Sequence, residues 1–278
     1  MRPTDADLDS GTIAALLSWQ AELGADEPIG DSPVNRYLLP ATSPWAIREA
    51  APALPSPRAA RAPAISPATV AVTPSADPAA DAQALAAAAM TLRDLAAAQA
   101  AYDHCDLKRG ARNFVFADGL PGARVMVLGE APGADEDREG RPFVGRAGQL
   151  LDRMFAAIGL ARSSPDPATA LYISNILPWR PPQNREPTPD EMAMMLPFVR
   201  RHIALAAPEV LVLMGNTPCL ALLGQKGILK LRGQWTESGG RPVLPMTHPA
   251  YLLRNPAAKR EAWADLLSLK ARLDGSGR

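Results

Sequence analysis

Three polar segments of the sequence follow short apolar runs, at the points where buried strands would end. They are Gly129-Glu130-Ala131-Pro132-Gly133, Asn175, and Thr247-His248. In an open parallel sheet, ligands bind outside the carboxyl ends of the strands. The sequence therefore predicts that a carboxylate, an amide and an imidazole meet at a ligand site on one edge of a sheet.

Each segment also has a simpler interpretation. Two glycines after a strand could form a phosphate-binding turn, but Gly129 and Gly133 do not have the G-x-G-x-x-G spacing and no P-loop lysine follows. An asparagine at a strand end, such as Asn175, often bonds its own backbone in a turn or cap. His248 could be a structural histidine, and Leu252 and Leu253 could be ordinary core residues. Taken singly, the segments leave these alternatives open.

The sheet that would position these segments is visible as four apolar runs. Residues 123–128, 171–176, 210–214 and 242–246 have the length and composition of buried strands, and longer periodic segments separate them. This alternation predicts an α/β fold with parallel strands covered by helices.

Three helices between or after these strands have clear signals. Thr188-Pro189-Asp190-Glu191 is a capping box with proline at the first helical position. A second helix is predicted to begin at Thr217-Pro218 and to end at Gly224. The last helix, residues 257–273, has four large apolar side chains that we expect on its core side: Trp263, Leu266, Leu267 and Leu273.

The N-terminal part has a different composition. Residues 41–84 are predicted to be a disordered linker rich in proline and alanine, with nine prolines between Pro40 and Pro78. Residues 1–40 form an extension in which residues 13–23 are typical of one short amphipathic helix, which could dock on the core or on a partner protein. Residues 85–274 are expected to form one globular α/β domain.

The charges and cysteines limit the classes of function. The first 85 residues carry ten acidic and five basic residues, so the rest has five excess positive charges although the net charge is zero. This modest excess suits a nucleic-acid partner but does not decide it. Cys105 and Cys219 match no zinc or disulfide spacing, and no stretch has the roughly 20 apolar residues that span a bilayer. We expect a cytoplasmic protein without a membrane partner.

Four motifs together resemble the family 4 uracil-DNA glycosylases: GEAPG, GRPFVGRAGQLLD, NILPWRPPQNREPTPDE and THPAYLLRNP. The resemblance extends from about Tyr102 to Leu273, and the first 85 residues lie outside it. It implies a three-layer αβα sandwich around a central four-stranded, mostly parallel sheet. It also implies a monofunctional, monomeric DNA N-glycosylase that removes uracil from single- or double-stranded DNA and so starts base excision repair.

By resemblance, a flipped uracil would be recognised in a pocket. Phe143 would stack on the base, and the amide of Asn175 would contact N3–H and O4, a pattern that cytosine presents in reverse. Glu136, or the turn at Gly133, would occupy the space of a thymine methyl group.

The resemblance also assigns the chemistry. His248, with backbone N–H groups of the turn from Gly129 to Ala131, would stabilise negative charge on O2 of the departing uracil. Glu130 would orient the water or polarise the site. Another branch of the superfamily has an aspartate where this chain has Ala131, so leaving-group stabilisation should matter more here than a strong base.

Contacts to DNA are expected mainly from the THPAYLLRNP segment. Leu252 and Leu253 resemble a wedge that fills the gap left by the flipped base, with Tyr251 and Arg254 beside it. Further phosphate contacts are expected from four basic residues: Arg141, Arg146, Lys230 and Arg232.

The chain departs from this family at its metal centre. The usual member holds a four-iron, four-sulfur cluster with four cysteines, and the corresponding positions here are Tyr102, Cys105, Trp179 and Met195. One thiolate cannot hold such a cluster, so we expect no cofactor. A small hydrophobic cluster is expected in its place, which leaves open how the loop from Trp179 to Pro187 is held.

Two other functions remain. One branch of the superfamily traps uracil-DNA covalently with a histidine on an inserted basic loop, but no histidine or insertion lies between Asn175 and Thr188. The chain could also be a scaffold that has lost activity and uses its proline-rich tail to recruit a partner. Uracil release from DNA distinguishes both from an active enzyme.

Overall fold

The computed structural model describes residues 77–275. Its helices are α1 (Pro78–Ala88), α2 (Leu92–Ala101), α3 (Leu107–Gly110), α4 (Ala134–Glu139), α5 (Arg146–Ala156), α6 (Pro189–Ala206), α7 (Asn216–Leu223), α8 (Ile228–Leu231), α9 (Pro249–Arg254) and α10 (Lys259–Leu273). Its strands are β1 (Ala117–Gly119), β2 (Val125–Gly129), β3 (Leu171–Asn175), β4 (Val210–Met214), β5 (Thr236–Ser238) and β6 (Arg241–Met246). Short 3-10 turns lie at Pro182–Asn184 and Pro256–Ala258.

One six-stranded sheet forms the centre of this part of the chain, in the order β1-β3-β2-β4-β6-β5. The four inner strands are parallel and correspond to the four predicted runs, which confirms the α/β class. The sheet has six strands and not four because β1 and β5 pair antiparallel at its two edges. Each edge strand has three residues that are only partly buried or exposed, so neither forms an apolar run.

Helices cover both faces of the sheet and make two separate cores. On one face, Met126, Leu128 and Leu213 pack with α1, α2 and α6. On the other face, Val127 and Val212 pack with α5 and α10. Because successive side chains of a strand point to opposite faces, strands buried on both sides must be apolar throughout. The arrangement is a three-layer αβα sandwich.

The predicted helix ends are largely confirmed. The Thr188 hydroxyl accepts a hydrogen bond from the Glu191 N–H, and the Glu191 carboxylate accepts one from the Thr188 N–H, so α6 begins with the expected capping box. Helix α7 ends at Leu223 and is capped by Gly224, which is left-handed with φ +69°. No helix in residues 77–275 has the length and apolar character needed to cross a membrane.

The prediction for the last helix was wrong for two of its four apolar residues. Trp263 and Leu267 are 43% and 46% exposed, whereas Leu266 and Leu269 are buried. The buried stripe of α10 also contains Asp265, whose carboxylate pairs with Arg232. The side of α10 that faces the core therefore includes a polar residue, and Trp263 lies outside it.

Helix α1 lies partly within the segment predicted as linker. It begins at Pro78, and Ala82 and Ala86 on its inner side are buried against the core. The Tyr102 hydroxyl donates to the Pro78 carbonyl (2.6 Å), and the Arg201 guanidinium donates to the Ala89 carbonyl. The folded part therefore starts before residue 85. The sequence does not indicate this, because the packed side of α1 consists of small alanines and no large side chain marks a core position. The predicted linker before residue 77 and the predicted helix at 13–23 lie outside the described residues.

Candidate active site

A cavity of about 560 Å³ opens at the carboxyl ends of β2, β3, β4 and β6. This is the edge of the sheet at which the sequence predicts a ligand site. Nine of the predicted site residues line it: Glu130, Ala131, Gly133, Glu136, Phe143, Asn175, His248, Tyr251 and Arg254. The fold therefore brings the predicted carboxylate, amide and imidazole to one cavity.

Gly129 lies where the Asn175 and Phe143 side chains meet. A Cβ atom at this position would overlap both the Asn175 side-chain oxygen and the Phe143 ring. Gly129 pairs with Asn175 in the sheet, and its carbonyl accepts from the Ile176 N–H. The absence of a side chain thus lets the amide and the ring approach each other.

The Asn175 side chain is buried at the end of β3, with 7% of its surface exposed. Its Oδ1 atom has no hydrogen-bond partner among residues 77–275. A buried acceptor without a partner is costly, and in native proteins it usually indicates a functional requirement. The side chain is therefore available for a ligand donor and is not the turn or cap residue of the simpler interpretation.

The rings of Phe143 and His248 stack on each other in the wall of the cavity. Their ring centroids are 5.4 Å apart and their planes are inclined by 30°. Phe143 is buried and has a positive φ of 54°, which is rare for a residue with a bulky side chain. The two rings form adjoining walls against which a planar ligand could stack.

His248 is held in one tautomer by its own helix. It is the N-cap of α9, and its Nδ1 atom accepts a hydrogen bond from the Ala250 N–H (3.2 Å). The proton of the neutral ring is therefore on Nε2. Burial of the ring, with a smaller contribution from the positive charge of Arg254, lowers the pKa of His248 to about 4. At neutral pH the residue is an uncharged N–H donor.

Glu130 is oriented by a residue that the sequence did not single out for the site. The hydroxyl of Thr217, at the start of α7, donates to Glu130 Oε2 at 2.5 Å. Thr247 also lines the cavity, and its buried hydroxyl has no partner in the described part of the chain. Thr247 belongs to the Thr247-His248 segment that the sequence singles out, whereas Thr217 reaches the site only through its contact with Glu130, 87 positions away in the sequence.

Glu136 holds two parts of the cavity wall together. One carboxylate oxygen accepts from the N–H groups of Val144 and Gly145, both at 2.9 Å, and the other accepts from the Gly133 N–H at 3.1 Å. The side chain thus fixes the turn at Gly133 and the segment that follows Phe143.

The residues predicted to contact DNA lie in different environments: some line the cavity, some are exposed outside it, and one is buried. Tyr251 and Arg254 line the cavity, Leu253 is partly exposed, and Arg146 is exposed outside it. Leu252 is only 1% exposed and packs with Leu150 and Ala262, so the predicted wedge role is corrected to a core role. The side of α9 that carries Leu252 faces α5.

Two of the other predicted phosphate contacts have protein partners. Arg232 pairs with the buried carboxylate of Asp265 and is not available as a free cation, which corrects that prediction. Arg141 is exposed and lies within 4 Å of Asp118 and Glu139. Lys230 is exposed on α8.

The four positions that correspond to cluster cysteines lie in one hydrophobic core. Tyr102, Cys105, Trp179 and Met195 are each at most 2% exposed. Their partners are protein groups: the Tyr102 ring packs edge-on against Phe198, and the Gln99 amide donates to the Met195 sulfur. Residues 77–275 contain no group of three or more His, Cys, Asp or Glu side chains placed to hold a metal.

The loop after Trp179 is held by ionic and polar bonds. Both carboxylate oxygens of Glu191 bond the Arg185 guanidinium, at 2.5 and 2.9 Å, and one also accepts from the Thr188 N–H. The Arg180 guanidinium donates to Asn184 Oδ1. The start of α6 thus anchors the loop.

Comparison with known proteins agrees with this fold. The model of the uracil DNA glycosylase superfamily matches residues 116–267. The chain is 40% identical to a type-4 uracil-DNA glycosylase of Thermotoga maritima over 154 residues, which is 54% of this chain and 77% of that protein. It is 36% identical over 170 residues to a type-4 uracil-DNA glycosylase of Archaeoglobus fulgidus, covering 58% of this chain and 82% of the relative.

A DNA polymerase of Bacillus phage SP01 is also similar, with 32% identity over 153 residues that make up 55% of this chain and 16% of the phage protein.

The fold and the cavity define an αβα protein with a ligand site at the carboxyl ends of its strands. The chain belongs to the uracil DNA glycosylase superfamily.

The state of His248 can be measured directly, because the chain has only three histidines. We expect the ring nitrogen signals of His248 and His202 to stay constant between about pH 5.5 and 8 in nitrogen-15 NMR spectra, since burial lowers their pKa values to about 4 and about 3. His248 should show a proton on Nε2. The variant His104→Ala assigns the third histidine, and a midpoint near pH 6.5 for His248 would contradict the neutral-donor assignment.

Proposed function

We propose that the protein is a uracil-DNA glycosylase, which hydrolyses the bond between a flipped uracil and its deoxyribose. The observation that carries this proposal is the buried, unpartnered oxygen of Asn175 beside the Phe143 ring and the neutral imidazole of His248. The membership of the chain in the superfamily and its similarity to two type-4 uracil-DNA glycosylases support it.

Base recognition follows from the chemistry of a carboxamide. Uracil has a donor at N3 and an acceptor at O4, so its N3–H can pair with Asn175 Oδ1 and its O4 with the amide nitrogen. Cytosine has an acceptor at N3 and a donor at N4, so it would leave the buried oxygen unpaired. A site that must hydrogen-bond its ligand discriminates strongly for this reason. Phe143 supplies the stacking surface, and we assign the exclusion of a thymine methyl to the Gly133 turn that Glu136 holds.

Bond cleavage needs stabilisation of the departing base. As the bond to the sugar breaks, its electron pair moves onto uracil and negative charge develops at O2. Water adds to the sugar carbon, and the proton that it loses neutralises the uracil anion. The Nε2–H of neutral His248 and backbone N–H groups of the turn from Gly129 to Ala131 are the donors that we assign to O2. A neutral imidazole can serve this role, because its Nε2–H donates a hydrogen bond without the ring having to be protonated.

Glu130 is the carboxylate that we place near the attacking water. Its hydrogen bond from Thr217 fixes one oxygen and leaves the other for the water or for the positive charge that develops on the sugar. Ala131 supplies no carboxylate, so the rate should depend mainly on stabilisation of the leaving group.

The DNA is expected to contact the rim that α9 forms. Tyr251 and Arg254 line the cavity, and Leu253 is the partly exposed apolar side chain between them, so Leu253 is the candidate wedge. Arg146 at the start of α5 is an exposed cation for a phosphate.

The four-iron cluster implied by the resemblance does not fit the residues present. One thiol, a phenol, an indole and a thioether occupy its four positions, and burial raises the pKa of the Cys105 thiol and so disfavours a thiolate. We propose that the packed side chains of Tyr102, Trp179 and Met195 order this region without iron and sulfur.

The activity can be tested with an oligonucleotide that contains one uracil. We expect free uracil and an alkali-labile site, and we expect His248→Ala and Asn175→Ala each to lower the rate by at least about 100-fold, because each removes a group that contacts the reacting base. His104→Ala, at an exposed histidine bonded to Asp81, is the matched control and should keep full activity. If uracil release is unaffected in both site variants, the assigned roles are contradicted. DNA binding without any uracil release would favour the scaffold function.

The metal content can be measured on protein purified without oxygen. We expect less than about 0.1 iron and sulfide per chain together with full uracil release, since a cluster needs a ligand for each iron. A stoichiometric cluster would contradict the proposed hydrophobic replacement.

A further inference from the structure

The backbone at Phe143 is held in an unfavourable conformation. Its φ of +54° lies in the left-handed region, where a side chain crowds the neighbouring carbonyl. Such a conformation persists only when surrounding contacts fix it, and it is commonly found at functional sites. The contacts that fix Phe143 therefore determine where its ring stands in the cavity.

Those contacts hold the peptide groups on both sides of Phe143. After the residue, Glu136 accepts from the N–H groups of Val144 and Gly145. On the carbonyl side, the guanidinium of Arg162 donates from Nη1 to the Pro142 carbonyl (2.9 Å) and from Nη2 to the Phe143 carbonyl (2.8 Å). One anion and one cation thus bind the N–H and C=O groups of the same turn.

Two carboxylates fix the Arg162 side chain in place. Its Nε donates to Asp152 Oδ1 at 2.8 Å, and its Nη1 also bonds Asp118 Oδ2 at 3.0 Å. Only 14% of the side chain is exposed. The planar, forked guanidinium can serve four acceptors in fixed directions, which a lysine ammonium cannot do.

The position beside this turn has to be a glycine. A Cβ atom at Gly148, in the first turns of α5, would overlap the backbone of Phe143. Because Gly148 has no side chain, the Phe143 turn lies directly against α5, and Arg162 reaches its carbonyls from the chain after that helix.

We propose that Arg162 is a positioning residue for uracil excision, acting only through the Phe143 ring. Arg162 does not line the cavity, so its effect on the reaction must pass through the backbone that it holds. This inference rests on the proposed function, in which Phe143 stacks on the flipped base. It predicts that Arg162 has no effect on excision once that ring is absent.

A double-mutant cycle tests this directly in the full-length protein. Arg162→Met should lower kcat/KM for uracil release about 10-fold to 100-fold, and Phe143→Ala should lower it at least as much. In the Phe143→Ala background, adding Arg162→Met should change kcat/KM by less than about twofold, because the ring that it positions is gone. If Arg162→Met lowers kcat/KM by the same factor with and without the Phe143 ring, the inference is overturned.

Two further variants separate positioning from general stability. Arg124→Met is the matched control, since Arg124 also bonds a carboxylate, Glu209, and a backbone carbonyl, that of Leu273, but lies away from the cavity. It should keep full kcat/KM whatever its effect on Tm. If Arg162→Met does not fold, Asp152→Asn weakens the hold on Arg162 without unpairing it completely, and its smaller loss should likewise vanish in the Phe143→Ala background.

The outcomes distinguish this inference from the proposed function. If Phe143→Ala keeps full activity while His248→Ala and Asn175→Ala are impaired, the glycosylase stands and the role of Arg162 is overturned. If Phe143→Ala is impaired but the Arg162→Met loss persists in its presence, only the action through Phe143 fails.

Discussion

A buried carboxamide oxygen without a partner is the feature on which the site depends. Leaving such an acceptor unpaired costs about 1–3 kcal/mol, which the rest of the fold must offset. The parallel sheet does so by burying both faces of β2, β3, β4 and β6 in two cores. The same pairing places Asn175 beside Gly129, which has no side chain to fill the space at the free oxygen. A ligand with an N–H group in the cavity would supply the missing partner.

The other walls of the cavity are rigid for different reasons. His248 is fixed by its hydrogen bond at the start of α9, and Phe143 is fixed by the bonds that Glu136 and Arg162 make to its flanking peptides. The four positions at which the resemblance implies cluster cysteines lie in a packed core, to which α1 and α2 contribute. Hydrophobic packing and the Arg185–Glu191 pair thus order the loop beside the cavity, so preorganisation here comes from side-chain packing and ion pairs.

Much of this arrangement could be predicted from the sequence, because buried parallel strands are continuous apolar runs and their ends mark the site. The four inner strands and the group Glu130, Phe143, Asn175 and His248 follow from that rule together with the family resemblance. The edge strands could not be predicted, since three half-exposed residues leave no periodic signal. The exposure of Trp263 and the burial of Leu252 depend on which side of a helix meets its neighbours. The roles of Thr217 and Arg162 depend on contacts between residues 87 and 19 positions apart, respectively, which spacing alone does not show.

The most direct test of the central claim uses free bases as inhibitors of uracil release. Uracil carries the N3–H that Asn175 Oδ1 lacks as a partner, whereas 3-methyluracil has the same ring with that donor replaced by a methyl group. We predict that uracil inhibits the reaction, that 3-methyluracil inhibits at least about tenfold more weakly, and that Asn175→Ala removes most of the difference. Equal inhibition by the two bases would contradict the assignment of the buried oxygen as the group that recognises uracil.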